Sequence, residues 1–212
     1  MGKIVAVSDA LEKSSLLGKT SFLFAIYMAV ASYASYVGQD LHGGWAFWGI
    51  LIGAIGCIIA MRIFVSFSAL LGATFAVGLA FLIGLGVGPL IADTVHHKGW
   101  EPIAFAFGGT SVAALGFGSY GYLTTRNFAS WGTGLFFALL ALIGAGVVIG
   151  LTGASSSWYG WLGMLVFSGY FIYDANKLRQ SENTWESAIL NSINLFLDFV
   201  NFFEDWLLAS RD

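Results

Sequence analysis

The stretch that most constrains this chain is its last apolar run, Ser187 to Leu208, which reads SAILNSINLFLDFVNFFEDWLL. Its 22 residues are enough to cross a bilayer as a helix. It contains neither Gly nor Pro, in a chain that carries 28 Gly elsewhere. Its polar residues are not scattered. At 100° per residue, Ser187, Asn191, Asn194, Asp198, Asn201 and Asp205 fall within an arc of roughly 80°. The stripe is about 27 Å tall at 1.5 Å per residue. Lipid cannot cover it, because each amide or carboxyl group would be desolvated without a partner. The helix must therefore face other helices, or water inside the protein, along its whole length.

The rest of the chain can supply that enclosure. Hydrophobic residues make up 58% of it and charged residues 10%, where a soluble domain carries about 25% charged residues. This is the composition of an integral membrane protein. Seven apolar segments are separable: Ser21–Val37, Trp45–Met61, Phe64–Ala92, Ile103–Leu123, Trp131–Leu151, Trp158–Asp174 and Ser187–Leu208. Short connections join them, so the expected fold is all-α: one seven-transmembrane-helix bundle with the last helix central. Residues 1–20 are expected to form a cytosolic N-terminal segment, and residues 21–212 a single bundle. No clean cleavage site follows the first run, so it reads as a retained helix. Pro89, within GLGVGPL, is expected to bend or fray the third helix.

Basic residues set the orientation. With a cytosolic N-terminus and seven crossings, Lys3, Lys13, Lys19, Arg62, Arg126, Lys177 and Arg179 lie inside, and only Lys98 and Arg211 outside. If the last segment were re-entrant, Arg211 would move inside; its length and full-height stripe favour crossing. Gly84 with Gly88, and Gly146 with Gly150, form small-xxx-small pairs, with Gly53, Gly56, Gly72 and Gly78 in addition. One reading is that thin, Gly-rich helices wrap the bulky last one. The other is that Gly is simply frequent in membrane helices.

Asp198 is the sharpest candidate for chemistry, since it sits mid-way along the last segment and an intramembrane carboxyl group is a functional candidate by default. The alternative is a structural Asp bonded to flanking asparagines. Asp174, in GYFIYDANKLRQ, ends the sixth segment, and a helix continuing to Gln180 would bury it. The last two segments form a hairpin, which lets Asp174 and Asp198 approach. Two carboxyl groups in contact share a proton and titrate as a unit; ionised, they offer a hard oxygen site suited to Ca²⁺. Arg62 follows the second segment on the same side as Asp174, as either a latch for the ionised pair or a positive-inside flank. Arg126 reads as a flank. Asp40, His42, Asp93, His96 and His97 fall in the outward loops with no metal-ligand spacing and read as solvated. Gly116, Gly118 and Gly121 spell G-x-G-x-x-G inside an apolar segment, with no preceding strand, and do not make a dinucleotide site. Cys57 reads as a packed thiol. No Ser/His/Asp set, zinc motif or P-loop is present, so an enzyme is not expected, nor is a cofactor. A net charge of −3 offers nothing to nucleic acid.

These residues resemble the Bax inhibitor-1 (transmembrane Bax inhibitor motif) family. The likeness rests on two acids 24 residues apart, in FIYDANKL and NLFLDFVNFF, with GYLTTRNF and the terminal LLASRD similar to bacterial members. It implies six helices around a last one, and a pH-sensitive Ca²⁺ leak gated by paired aspartates on the last two helices and coupled to an Arg on the second. The matching positions are Asp174, Asp198 and Arg62. Bacterial relatives are also linked to regulation of a membrane-embedded protease. One departure stands out: Ala175 and Asn176 follow the first aspartate where the family often has Thr and Gln.

The expected function is thus a pH-sensitive calcium leak channel. Asp174 and Asp198 would be sensor, gate and possible calcium contact, and Arg62 the latch. Asn191, Asn194, Asn201 and Asp205 would line a polar pathway. The expected partners are the lipid bilayer, calcium ions and protons, and the expected location is a bacterial inner membrane with the N-terminus cytoplasmic. The competing expectation is a non-conducting regulator that binds a membrane protease or another partner.

Overall fold

A computed structural model describes residues 2–41, 43–152 and 157–211; His42, among the loop candidates above, lies outside them. The described residues form seven helices and no strand: α1 (Gly2–Val37), α2 (Gly44–Phe64), α3 (Ala69–Lys98), α4 (Glu101–Leu123), α5 (Trp131–Thr152), α6 (Ser157–Gln180) and α7 (Trp185–Ala209). Five stretches are long and apolar enough to cross a membrane: Glu12–Val37, Gly44–Phe64, Ala69–Lys98, Glu101–Leu123 and Trp131–Ile149. Their outward faces carry side chains that water would not tolerate in such number. Trp45, Trp48 and Ile52 on α2, Phe105, Val112 and Leu115 on α4, and Phe137, Ile143 and Val148 on α5 are all exposed. Lipid is the medium that covers them, and the protein is integral to the membrane.

The other two helices are long enough but less apolar, and for α7 burial explains why. No residue of α7 between Ser187 and Ala209 is exposed. The stripe residues Asn191, Asp198 and Asp205 are buried, and Ser187, Asn194 and Asn201 are half-buried. The helix is unbroken for 25 residues, about 37 Å.

Contacts divide the chain into two compact units, Met1–Ala92 with Leu178–Phe196, and Asp93–Lys177 with Leu197–Asp212. In the first, glycines bring α3 against α1. A Cβ at Gly84 would lie 2.7 Å from the Ala31 Cα, and one at Gly88 2.8 Å from the Gly38 carbonyl carbon. α3 runs on through Pro89 without fraying. Pro89 has no N–H to offer the Leu85 carbonyl, and Gly38 packs against that oxygen, where a Cβ would lie 2.6 Å away. Tyr27, fully buried, sets its ring edge-on to Phe196 at 6.0 Å. Lys19 donates to the Asn183 Oδ1 at 3.0 Å and lies over the Trp185 ring.

In the second unit α7 is the helix that glycines admit. Gly109 of α4 faces the Trp206 ring, and Gly160 and Gly163 of α6 lie against Asp205 and Ala209. The idea of glycine helices wrapping the last one therefore holds for residues other than those singled out. Gly53, Gly72, Gly78, Gly84 and Gly88 abut α1, α2, α3 or the α2–α3 connection, and Gly56 meets nothing within 4 Å. Gly121, from the G-x-G-x-x-G run, packs on the backbone of Ile172 in α6.

Candidate functional site

The site is built on the α6–α7 hairpin of the second unit. α6 continues to Gln180, which leaves Asp174 a turn and a half from the helix end and 3% exposed. Asp198 is 4% exposed. The two carboxyl groups are within hydrogen-bonding contact. Two carboxyl groups in hydrogen-bonding contact can share a proton, since one of them must carry it to donate. The second oxygen of Asp198, Oδ2, has no partner among the described residues. Tyr170, one turn before Asp174 on α6, is close enough to feel the charge of both acids.

Asn176 holds this part of α6 in place. Its Nδ2 donates to the carbonyls of Gly121 at 2.9 Å and Arg126 at 3.0 Å, and its Oδ1 accepts from the Phe128 N–H at 3.1 Å. The side chain is 1% exposed. These three bonds tie α6, two residues beyond Asp174, to the end of α4 and the α4–α5 connection. Close approach at Gly121 makes the reach possible. In the sequence Asn176 stood out only as a departure from the family pattern and not as an anchor; the further signal was an amide on the last turns of an apolar helix, where a buried polar group needs partners.

The other candidates separate. Arg62 lies in the last turn of α2, is exposed, and forms no ion pair or hydrogen bond through its side chain among the described residues. Two stripe asparagines turn back onto their own helix: Asn191 Nδ2 donates to the Ser187 carbonyl at 2.7 Å and to Ser181 Oγ at 3.0 Å, and Asn201 Nδ2 to the Leu197 carbonyl at 2.7 Å. Asp205 is 6% exposed and its Oδ2 is unpartnered among the described residues. No group of three or more His, Cys, Asp or Glu among the described residues could hold a metal ion. A Ca²⁺ ion at Asp174 and Asp198 would have two carboxyl groups and must complete its shell of 6–8 oxygens from elsewhere.

Asp93, His96 and His97 are not in a loop, because α3 runs on to Lys98. Asp93 and His97 form part of a clasp on the residues that follow α7. Lys98 Nζ donates to the carbonyls of Ser210 at 2.7 Å and Arg211 at 2.9 Å, just beyond the last residue of α7. Arg211 pairs with Asp93 at 3.1 Å, and His97 Nδ1 lies 3.2 Å from the other Asp93 oxygen. Asp40 is exposed.

Apolar spanning helices, an enclosed final helix and a buried carboxyl pair at its hairpin with the preceding helix define an all-α integral membrane protein with two acids in its interior. The chain belongs to the Bax inhibitor-1 family: residues 13–209 match the family described as "Inhibitor of apoptosis-promoting Bax1". It is similar to the Campylobacter jejuni protein Cj0236c, at 27% identity over 94% of this chain and 89% of that one. Rice Bax inhibitor 1 (Oryza sativa subsp. japonica) is 29% identical over 84% of this chain and 74% of its own. The Escherichia coli K12 inner membrane protein YbhL is 34% identical over 40% of this chain and 41% of its own.

Proposed function

We propose that the protein is a pH-sensitive cation leak, for Ca²⁺, in which the Asp174–Asp198 pair is both proton sensor and ion contact. The observation that carries this reading is the buried carboxyl-to-carboxyl contact, with one Asp198 oxygen left unpartnered. The pair holds either one proton or none, so its charge changes by one at the α6–α7 seam. With the proton gone, two adjacent charges repel by about 4 kcal/mol at 4 Å and an effective dielectric of about 20. Such a term is large enough to shift a two-state helix packing or to recruit a cation. Asn176 keeps α6 anchored while the pair changes state. The polar face of α7, from Asn191 and Asn194 to Asn201 and Asp205, is the proposed route for the ion. Arg62 is the proposed latch in a state where the pair is ionised.

The test is Ca²⁺ flux into liposomes holding the purified protein, between about pH 6 and pH 8, where a shared-proton pair can titrate. The wild type should conduct with a pH dependence that Asp198→Asn flattens, since an amide cannot ionise. Unchanged flux and unchanged pH dependence in Asp198→Asn would sink the gate. The name of the relative YbhL supports an inner-membrane location, and the inward excess of Lys and Arg supports a cytoplasmic N-terminus.

The family description, of an inhibitor acting on another protein, favours a second reading. In it the protein is a non-conducting regulator that binds a membrane protease or another partner. It predicts co-purification with that partner and dependence on residues 1–20; a flux-competent protein recovered alone would speak against it.

A further inference from the structure

Asp205 is a second buried carboxyl group that the pair does not explain. It lies seven residues beyond Asp198 on the same face of α7, about 10 Å along the axis. Its Oδ2 has no hydrogen-bond partner among the described residues. The carboxyl group rests on Gly163 and the Asp205 carbonyl on Gly160, so α6 gives up two side chains to make the space. Any Cβ at Gly163 would overlap the carboxyl group.

Among the described residues the charged surroundings contain no counter-ion. Tyr159 of α6 and Glu204 of α7 are the titratable neighbours, and neither is a cation. The two cations at the end of α7 are engaged elsewhere, Lys98 on the Ser210 and Arg211 carbonyls and Arg211 on Asp93. An ionised carboxylate without partners is costly in an apolar interior. A proton on the carboxyl group removes that cost. Between Asp205 and the pair, Phe171 of α6 and Phe202 of α7 meet at 5.7 Å, with exposures of 2% and 4%. The order along the seam is carboxyl pair, aromatic contact, lone carboxyl group, glycine floor.

We propose that Asp205 is a second proton-exchanging site, distinct from the Asp174–Asp198 pair and separated from it by the Phe171–Phe202 contact. Its carboxylate takes a proton from water at the C-terminal end of α7 and returns it to the same side. The site deepens the proton-sensing reading of the pair, and any effect on conduction rests on that reading; proton binding itself does not.

The experiment follows the protonated-carboxyl stretch by infrared difference spectroscopy of the full chain in liposomes as pH is varied, with Ca²⁺ flux measured on the same samples. The wild type should show two separable titrating components. Asp205→Asn should lose one and keep the other, and Asp198→Asn should show the reverse. Gly163→Ala, which crowds the carboxyl group, should shift the Asp205 component and leave the pair's component in place. That second variant tests the assignment if Asp205→Asn does not fold. Asp205→Asn spectra that match the wild type at every pH would overturn the proposal, as would a Gly163→Ala change confined to the pair. Loss of the Asp205 component in a protein with no wild-type flux would support the site and remove the leak reading.

Discussion

Replacing Asn176 by alanine is the perturbation with the best-defined cost. The change deletes three hydrogen bonds, of 2.9, 3.0 and 3.1 Å, from a side chain that is 1% exposed. A buried intramolecular hydrogen bond contributes about 1 kcal/mol net, which makes a loss of about 3 kcal/mol. Polar contacts between membrane helices average nearer 0.6 kcal/mol, so about 2 kcal/mol is the lower figure. The upper one applies here, since the Gly121 and Arg126 carbonyls and the Phe128 N–H would all lose their partner on Asn176. A loss of about 3 kcal/mol shifts the unfolding equilibrium by more than a hundredfold. The assay is reversible unfolding in bicelles, wild type against variant. Asn176→Asp is a sharper control: it keeps the acceptor for Phe128 N–H but points a carboxylate at two carbonyls, and should be at least as damaging. A destabilisation below about 0.5 kcal/mol, the range of an exposed substitution, would refute the claim that this amide anchors α6.

Two further perturbations test the helix contacts. Gly121→Ala would place a Cβ 2.9 Å from the Ile172 Cα and carbonyl carbon, so α4 and α6 must separate; a loss of about 1–3 kcal/mol is expected in the same assay, and none would mean the backbones are not held in contact. Arg211→Ala removes an exposed ion pair with Asp93, so the loss should stay under about 1 kcal/mol and shrink with added salt; a large, salt-independent loss would show that the clasp on α7 is buried.

Much of this architecture is written locally. The spanning runs, the stripe on α7 and the enclosed position it demands follow from helical periodicity and the cost of polar groups in lipid. The extension of α6 past Asp174 and its hairpin with α7 also let the two acids meet, as expected. What periodicity cannot supply is the pairing of faces. Gly84 and Gly88 looked like sockets for the last helix and serve α1 instead, whereas Gly109, Gly160 and Gly163 receive α7. His96 and His97 looked like loop residues, yet α3 carries them on its last turns, where Lys98 holds the residues just beyond α7. Pro89 signalled a bend or fraying, but Leu85, whose carbonyl loses its donor there, lies against Gly38, just beyond α1, and the helix continues.

By itself, then, the amino-acid order determined that this protein lives in a membrane, that α7 must be enclosed, and that Asp174 and Asp198 sit on neighbouring helices. Those are consequences of composition, a 3.6-residue repeat and a short connection. Tertiary structure alone decided that the two carboxyl groups touch, that Asn176 is bonded three times beside them, and that Asp205 lies on a glycine floor with no counter-ion among the described residues. Each of these depends on atoms from residues far apart in the chain, and their distances exist only once the helices have packed.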